Sequence, residues 1–298
     1  GQTFFISLFS NEFRETFKLS NTEFGSIYSI ATVLSAITII WAGKLIDTIN
    51  LKKYTLTIVF GMAMTCLMAS LVFNIFFLFL TIYFLRLFGQ GLMGHTSRTT
   101  MARYFNTNRG KALAISAFGF SVGEMVYPIV IVFLILIIGW RLTWLSSSIF
   151  IFFILGLIFY YLLKNNNFKI ENNFNSEIEF QQVSWRGRDV LKDAKFYIYL
   201  PLTLLMSFIV TGFLFHQLFI ADIRSWNVIN LSKNFIFFAI SGLIGSVISG
   251  LLVDKFSGRK LIPFHLIPIA IILVSLLLTN HIFILYVYMA GLGFSNGL

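Results

Sequence analysis

Charged residues are the first thing missing. They make up 11% of the 298 residues, against roughly 25% in a soluble domain. No water-facing shell can be assembled from so few, which excludes an ordinary soluble fold. Cysteine is nearly absent as well. Cys66 stands alone, so no intramolecular disulfide can form, and it reads as a small apolar side chain within a span. Also lacking are metal-ligand spacings, a phosphate-cradling loop and any nucleophile–base arrangement. Gly89, Gly91 and Gly94 do satisfy G-x-G-x-x-G. They lie mid-helix with no strand before them, so they read as helix-packing glycines. No catalytic residue, metal or cofactor is expected.

What the chain has instead is apolar length. Hydrophobic residues make up 57% and the mean hydropathy is +0.85. Apolar segments of about 20 residues recur throughout, each long enough to cross roughly 30 Å of hydrocarbon. The net charge of +10 is orientation information. With loops placed alternately on two sides, sixteen of the 22 Lys and Arg fall on the side of the 44–53 loop and five on the other. Arg86 lies inside a span. The positive-inside rule makes loops 44–53, 98–111, 164–195 and 254–260 cytoplasmic. No compact basic face interleaved with aromatics is left for nucleic acid.

Read in order, the chain gives ten spans. Residues 1–163 hold six, 164–195 form a polar cytoplasmic linker, and 196–298 hold four more. The chain begins without Met inside one apolar segment and stops inside another. It is therefore expected to be a fragment lacking the start of the first span and the last two. Ser20, with Glu23 three residues on, predicts a capping box at the start of span two. Leu231–Ser232 echoes that cap before span eight. Gly139-Trp140-Arg141 predicts the outer turn between spans five and six, with Trp140 and Trp144 at an interface.

One loop occurs twice. Gly43-Lys44-Leu45-Ile46-Asp47-Thr48-Ile49-Asn50-Leu51-Lys52-Lys53 returns as Gly250-Leu251-Leu252-Val253-Asp254-Lys255-Phe256-Ser257-Gly258-Arg259-Lys260. In each copy a Gly closes an apolar helix, an Asp follows four residues later, and a turn leads to a basic cluster. Such spacing reads as one membrane-embedded unit used twice.

The first copy resembles the loop between spans two and three of the major facilitator superfamily, a Gly-x-Leu-x-Asp-Arg-x-Gly-Arg-Lys pattern. Gly43, Leu45, Asp47 and Lys52 match; Thr48, Asn50 and Leu51 depart from it. Asn50 is expected to take the left-handed turn in place of Gly. The second copy keeps Leu252, Asp254, Lys255, Gly258, Arg259 and Lys260. Arg86-Leu87-Phe88-Gly89-Gln90-Gly91 is similar to the family's span-four motif, and Gly119–Pro128 to its span-five motif. The resemblance covers nearly the whole chain. It implies an all-α membrane protein of two six-helix bundles, each of inverted repeats, rocking about a central site. It also implies that Gly43, Asp47, Lys52, Gly250, Asp254, Gly258 and Arg259 form the conformational-switch loops, with Asp47 holding the halves together when the site faces outward.

Inside the membrane, Arg86 lies about 17 Å along its helix from Ile75, too deep to reach water cheaply. An ionised group there costs at least about 2.5–3.5 kcal/mol unless paired or wetted. Glu124 is the acid at similar depth on the next span. An Arg86–Glu124 pair, or both groups lining a wet cavity, is expected. His216 and Gln217 are tandem polar groups in span seven and read as cavity lining. Gln2, Thr3, Tyr28 and Tyr127 are further cavity candidates.

These readings converge on a secondary transporter of a small organic solute, an anion such as a monocarboxylate, with proton coupling and alternating access. It would be a monomer in the lipid bilayer of a bacterial inner membrane. The alternative is a drug–proton antiporter exporting lipophilic compounds. From another class, a non-transporting receptor or a membrane-embedded enzyme would also be apolar throughout.

Overall fold

The structure is a computed structural model and describes residues 2–104, 109–164, 187–256, 264, 266–278, 281 and 283–298. The greater part of the 164–195 linker, together with Gly258 and Arg259, lies outside the described residues, as does the side chain of Asp254. Among the described residues every regular element is a helix.

The chain opens with two short helices, α1 (Thr3–Ser7) and α2 (Ser10–Phe17), followed by α3 (Asn21–Ala42). The expected capping box starts α3: Ser20 Oγ accepts from the Glu23 amide at 3.2 Å and the Ser20 amide donates to Glu23 Oε2 at 2.8 Å. A 3-10 turn over Gly43–Asp47 leads to α4 (Leu51–Ser70). Here one expectation fails. Asn50 has φ −53° and is not left-handed; its side chain caps α4, accepting from the amides of Lys52 and Lys53. Capping two orphan amides is worth more to the loop than a tighter turn.

The next run is one helix in three parts: α5 (Ile75–Phe84), a π-helical stretch Leu85–Leu92, and α6 (Met93–Tyr104). It is followed by α7 (Arg109–Ile149), whose single non-helical residue is Gly139, at φ 76° and ψ 165°. That conformation belongs almost to glycine alone. It reverses the chain where the outer turn was expected. Beyond it, Arg141 Nη1 donates to Ser70 O at 2.9 Å and Ser148 Oγ to Ala63 O at 2.7 Å. Numbers rise on one strand of contacts as they fall on the other, so this half of α7 runs antiparallel to α4. A π-helical stretch (Phe150–Leu155) and α8 (Gly156–Leu162) complete it, and α9 is Gly187–Lys192.

The remainder comprises α10 (Ala194–Phe215), α11 (Gln217–Ile223), α12 (Val228–Phe256), α13 (Ile267–Leu278) and α14 (Phe283–Gly297). The echo of the capping box is displaced. Helix α12 starts at Val228, with Asn227 Oδ1 accepting from the Ile229 amide at 2.8 Å. Ser232 therefore lies inside the helix and donates to Ile229 O.

Among the described residues, five helical runs are long and apolar enough to cross a membrane, or six if the bent pair Leu204–Phe215 and Gln217–Ile223 is one span. The longest, Ile115–Leu162, has 48 residues and contains spans five and six. Three apolar clusters lie among the described residues, the smallest on Ile46, Tyr54, Ile58, Leu87 and Leu92 at the loop of the first bundle; the other two are larger. One is built on Phe9, Phe13, Phe24, Leu78, Ile82 and Trp144, the other on Leu231, Phe235, Phe238, Leu285, Tyr288 and Met289. Trp144 is fully buried against Phe9. It is a core residue and not an interfacial one, because Phe5 of α1 and Phe9 at the α1–α2 junction pack on its ring.

Helices α12 and α14 approach backbone to backbone. A Cβ on Gly245 would fall 2.6 Å from Phe294 O, and one on Gly293 would meet Phe238 O and Ser241 Oγ. Without a hydrophobic driving force between helices in lipid, such close van der Waals contact is what binds them.

Candidate functional site

Arg86 is the second residue of the π-helical stretch and is 8% exposed. The wider i→i+5 winding is a local departure from the α-ladder of the kind that recurs at functional sites. Its guanidinium faces protein. Nη1 donates to Thr3 Oγ1 at 3.1 Å and to Gln90 Oε1 on its own helix. Thr3 Oγ1 is also 2.7 Å from the Tyr28 hydroxyl, and the Tyr28 ring lies 5.2 Å from the guanidinium carbon, within cation–π range. Gly91 permits this arrangement. A Cβ there would come 2.6 Å from Ile39 Cδ1, the end of a flexible side chain of α3 that would have to turn aside. Spans one, two and four thus meet at one charged group.

The other expected residues divide. Glu124 is buried, at 8% exposure. No hydrogen bond or ion pair joins it to Arg86 among the described residues, so the expected pair is not formed here; Arg86 turns to Thr3 and Gln90 instead. Gln2 is half-buried ahead of α1 and makes no capping bond. Tyr127 is 43% exposed and meets only the edge of Phe5 among the described rings.

His216 and Gln217 do not act as a tandem pair. Span seven breaks at His216, where α10 and α11 meet at 59°. The break turns His216 outward and Gln217 inward, to 1% exposure. Gln217 Nε2 donates to Phe4 O at 2.9 Å and to Ser7 Oγ at 2.7 Å.

The loop copies also diverge. Gly43 is buried and the His95 ring sits 3.7 Å from where its Cβ would be. Asp47 is exposed and shares with Lys44, His95 and Thr99 the wall of a cavity of about 320 Å³. Lys52 Nζ sits 4.0 Å over the Tyr160 ring, tying the loop to the end of span six. Gly250 lies inside α12, which runs on to Phe256, and nothing comes within 4 Å of a Cβ there. The second copy therefore neither ends its helix at the Gly nor uses it for close approach.

Three participants escaped the sequence reading. Gln90 was within reach of it, being four residues after Arg86 and so on the same helix face. The π-helical winding and Ser7 left no signal of their own.

Tyr288 occupies the place in span ten that Arg86 holds in span four. Arg86 bonds to Thr3 of the first span, and the Tyr288 hydroxyl reaches Phe213 O of the seventh at 3.5 Å. The same helix-to-helix relation therefore carries charge in one half and none in the other.

The whole chain, residues 1–298, matches the sequence profile of the Major Facilitator Superfamily. The protein belongs to that superfamily. No curated protein matches it significantly. Among solved structures it is similar to a bacterial homologue of the human lysosomal transporter Spinster. The inward-facing, unoccupied form aligns with a TM-score of 0.70 and 15% identity, over 99% of this chain and 69% of that one. The inward-facing, occupied form aligns at 0.65 and 16%, with the same coverage. At such identity the likeness shows the fold. Membership makes this chain a multi-pass membrane protein and a secondary transporter, which sets aside the enzyme reading. The superfamily fold also accounts for the all-helical architecture and the reuse of one unit.

Proposed function

We infer that this superfamily member carries a small organic anion, with a monocarboxylate as the preferred class, by proton-coupled alternating access. The observation that carries the reading is the buried Arg86 guanidinium at the meeting of spans one, two and four. A carboxylate offers two acceptor oxygens to a guanidinium fork. It would exchange the Thr3 hydroxyl and the Gln90 amide for charge-assisted bonds. Glu124, buried on the neighbouring span, is the acid assigned to the proton. The halves 1–163 and 196–298 tilt against each other, joined by the 164–195 linker. The basic loops face the cytoplasm of a bacterial inner membrane, and the protein works as a monomer. The inward-facing conformation of both similar structures agrees with the packing of span one against span seven on the side away from the basic loops.

The test is uptake of labelled lactate by the full-length protein in proteoliposomes, with Arg86→Ala as the comparison. Flux should fall more than about tenfold, the loss expected when one charge-assisted hydrogen bond of about 1.5–3 kcal/mol is removed. A second reading, export of a lipophilic compound, is favoured by the aromatic group beside the site. Phe24 stacks on Phe215 at 5.6 Å, and Tyr28 lies 4.4 Å from the same ring. Dye efflux lost in Arg86→Ala, with no carboxylate flux in the parent, would select it.

A further inference from the structure

The break in span seven is held open by other helices. On its near side the His216 amide still reaches Gly212 O, and on its far side the Ile220 amide reaches His216 O. The three carbonyls between them, of Phe213, Leu214 and Phe215, would take the amides of residues 217, 218 and 219 in an unbroken helix. Two are served from elsewhere: Leu214 O accepts from Ser7 Oγ at 2.7 Å, and Phe213 O from the Tyr288 hydroxyl at 3.5 Å. Gln217 completes the arrangement. Its amide donates to Phe4 O and Ser7 Oγ, and the Ser7 hydroxyl, 3.0 Å from Phe4 O on its own helix, makes its shorter bond of 2.7 Å to Leu214 O. A relay of three hydrogen bonds thus runs between α1 and the break, wholly inside the protein.

The opposite end of the same five-residue helix carries Thr3, which holds Arg86 and Tyr28. The Tyr28 ring rests on Phe215, the residue just before the break. Helix α1 therefore touches the charged site with one residue and the bend with two. Helix α3 reaches both as well, through Tyr28 against the guanidinium and against Phe215, but by ring contacts and without a hydrogen bond to the break.

We propose that Gln217 and Ser7 form the latch between spans one and seven, and that the bend at His216 lasts only while the latch is closed. When α1 withdraws, Leu214 O loses its donor. A carbonyl left unpaired in a membrane protein is costly, and the nearest replacement is the Leu218 amide one turn on. Accepting it straightens the helix and moves α11 away from α1. Opening on this side is thereby coupled to a change in the shape of span seven. An anion at Arg86 competes with Thr3 for Nη1 and loosens α1, so occupancy favours release; this clause rests on the anion reading above, and the latch itself does not.

Gly25 provides the reporter. A Cβ there would lie 3.8 Å from the Phe215 ring, an ordinary contact, so Gly25→Cys fits; the position is half-buried beside the break, and the readout is the rise in its labelling rate when the latch opens. Cys66 is 1% exposed and silent to a membrane-impermeant maleimide. In the full-length protein, Gln217→Leu and Ser7→Ala should each raise the labelling rate of the Gly25→Cys thiol about 25-fold, since each removes two bonds of the relay and a neutral hydrogen bond is worth about a factor of five. The double variant should exceed Gln217→Leu little, because the bonds form one relay. Unchanged labelling in both single variants, with thermal unfolding showing them folded, overturns the latch whatever the ligand does. Adding lactate decides the other clause. It should speed labelling in the parent and not in Arg86→Ala; no effect in the parent sinks the anion reading while raised rates in the variants still uphold the latch.

Discussion

Thr3 Oγ1 accepts from Arg86 Nη1 at 3.1 Å, and this one bond joins the first span to the fourth at the only described place where a guanidinium is enclosed by three spans. Lysine at position 86 would keep the charge but lose the planar fork that holds Thr3 and Gln90 together. Arg86→Lys is expected to cut carboxylate flux about tenfold and to raise the half-saturating concentration. Thr3→Val, which keeps the shape and removes the hydroxyl, should cost about tenfold or more, since a hydrogen bond to a charged group is worth about 1.5–3 kcal/mol. Initial rates in proteoliposomes measure both. Equal rates in Arg86→Lys and the parent would mean that the fork is not used.

Glu124 is expected to govern proton coupling and not the fold. Glu124→Gln keeps the volume and removes the titration. Carboxylate exchange at equal pH on both sides should survive, whereas uptake driven by a pH gradient should be lost. A variant that still accumulates substrate under the gradient would release Glu124 from the role.

Gly293 and Gly250 should respond oppositely to alanine. A methyl on Gly293 runs into Phe238 O on the facing helix, and backbone cannot move aside as a flexible side chain would. Gly293→Ala is expected to lower the detergent Tm by several degrees, the range for overpacking at about 1–3 kcal/mol. Gly250 has open space around it inside α12. Gly250→Ala should leave the Tm unchanged or raise it, since alanine is the better helix former by about 0.8–1.0 kcal/mol. Differential scanning fluorimetry of the two variants side by side checks the contrast.

Gly139→Ala tests the turn between spans five and six. At φ 76° and ψ 165° a side chain is strained by about 1–3 kcal/mol. The space is open, with nothing within 4 Å, so any loss of Tm reports backbone strain alone. Gly119→Ala, also in open space but without a positive φ, is the control and should show no loss.

Much of this was legible beforehand. Apolar length and charge asymmetry are properties of residues taken one at a time, and bilayer thickness converts them directly into spans. The depth of Arg86 and the turn at Gly139 followed from counting along single helices. The Ser20–Glu23 cap followed from a local pattern that the backbone satisfies within four residues. Failures began where two helices had to be compared. Asn50 looked like a turn residue and is a cap. Gly250 looked like its partner Gly43 and lies free inside a longer helix. His216 and Gln217 looked like neighbours on one wall and are parted by a bend.

Composition and spacing by themselves determined that this chain is a bundle of membrane helices, because in lipid a backbone has few ways to satisfy its own hydrogen bonds. They also put a guanidinium, that of Arg86, inside one of those helices. Only the tertiary structure decided what that guanidinium touches, where the fourth span widens into a π-helix, and that the seventh span bends against Ser7. Those outcomes depend on which donor stands near which carbonyl once helices far apart in sequence are packed, and no local pattern carries that information.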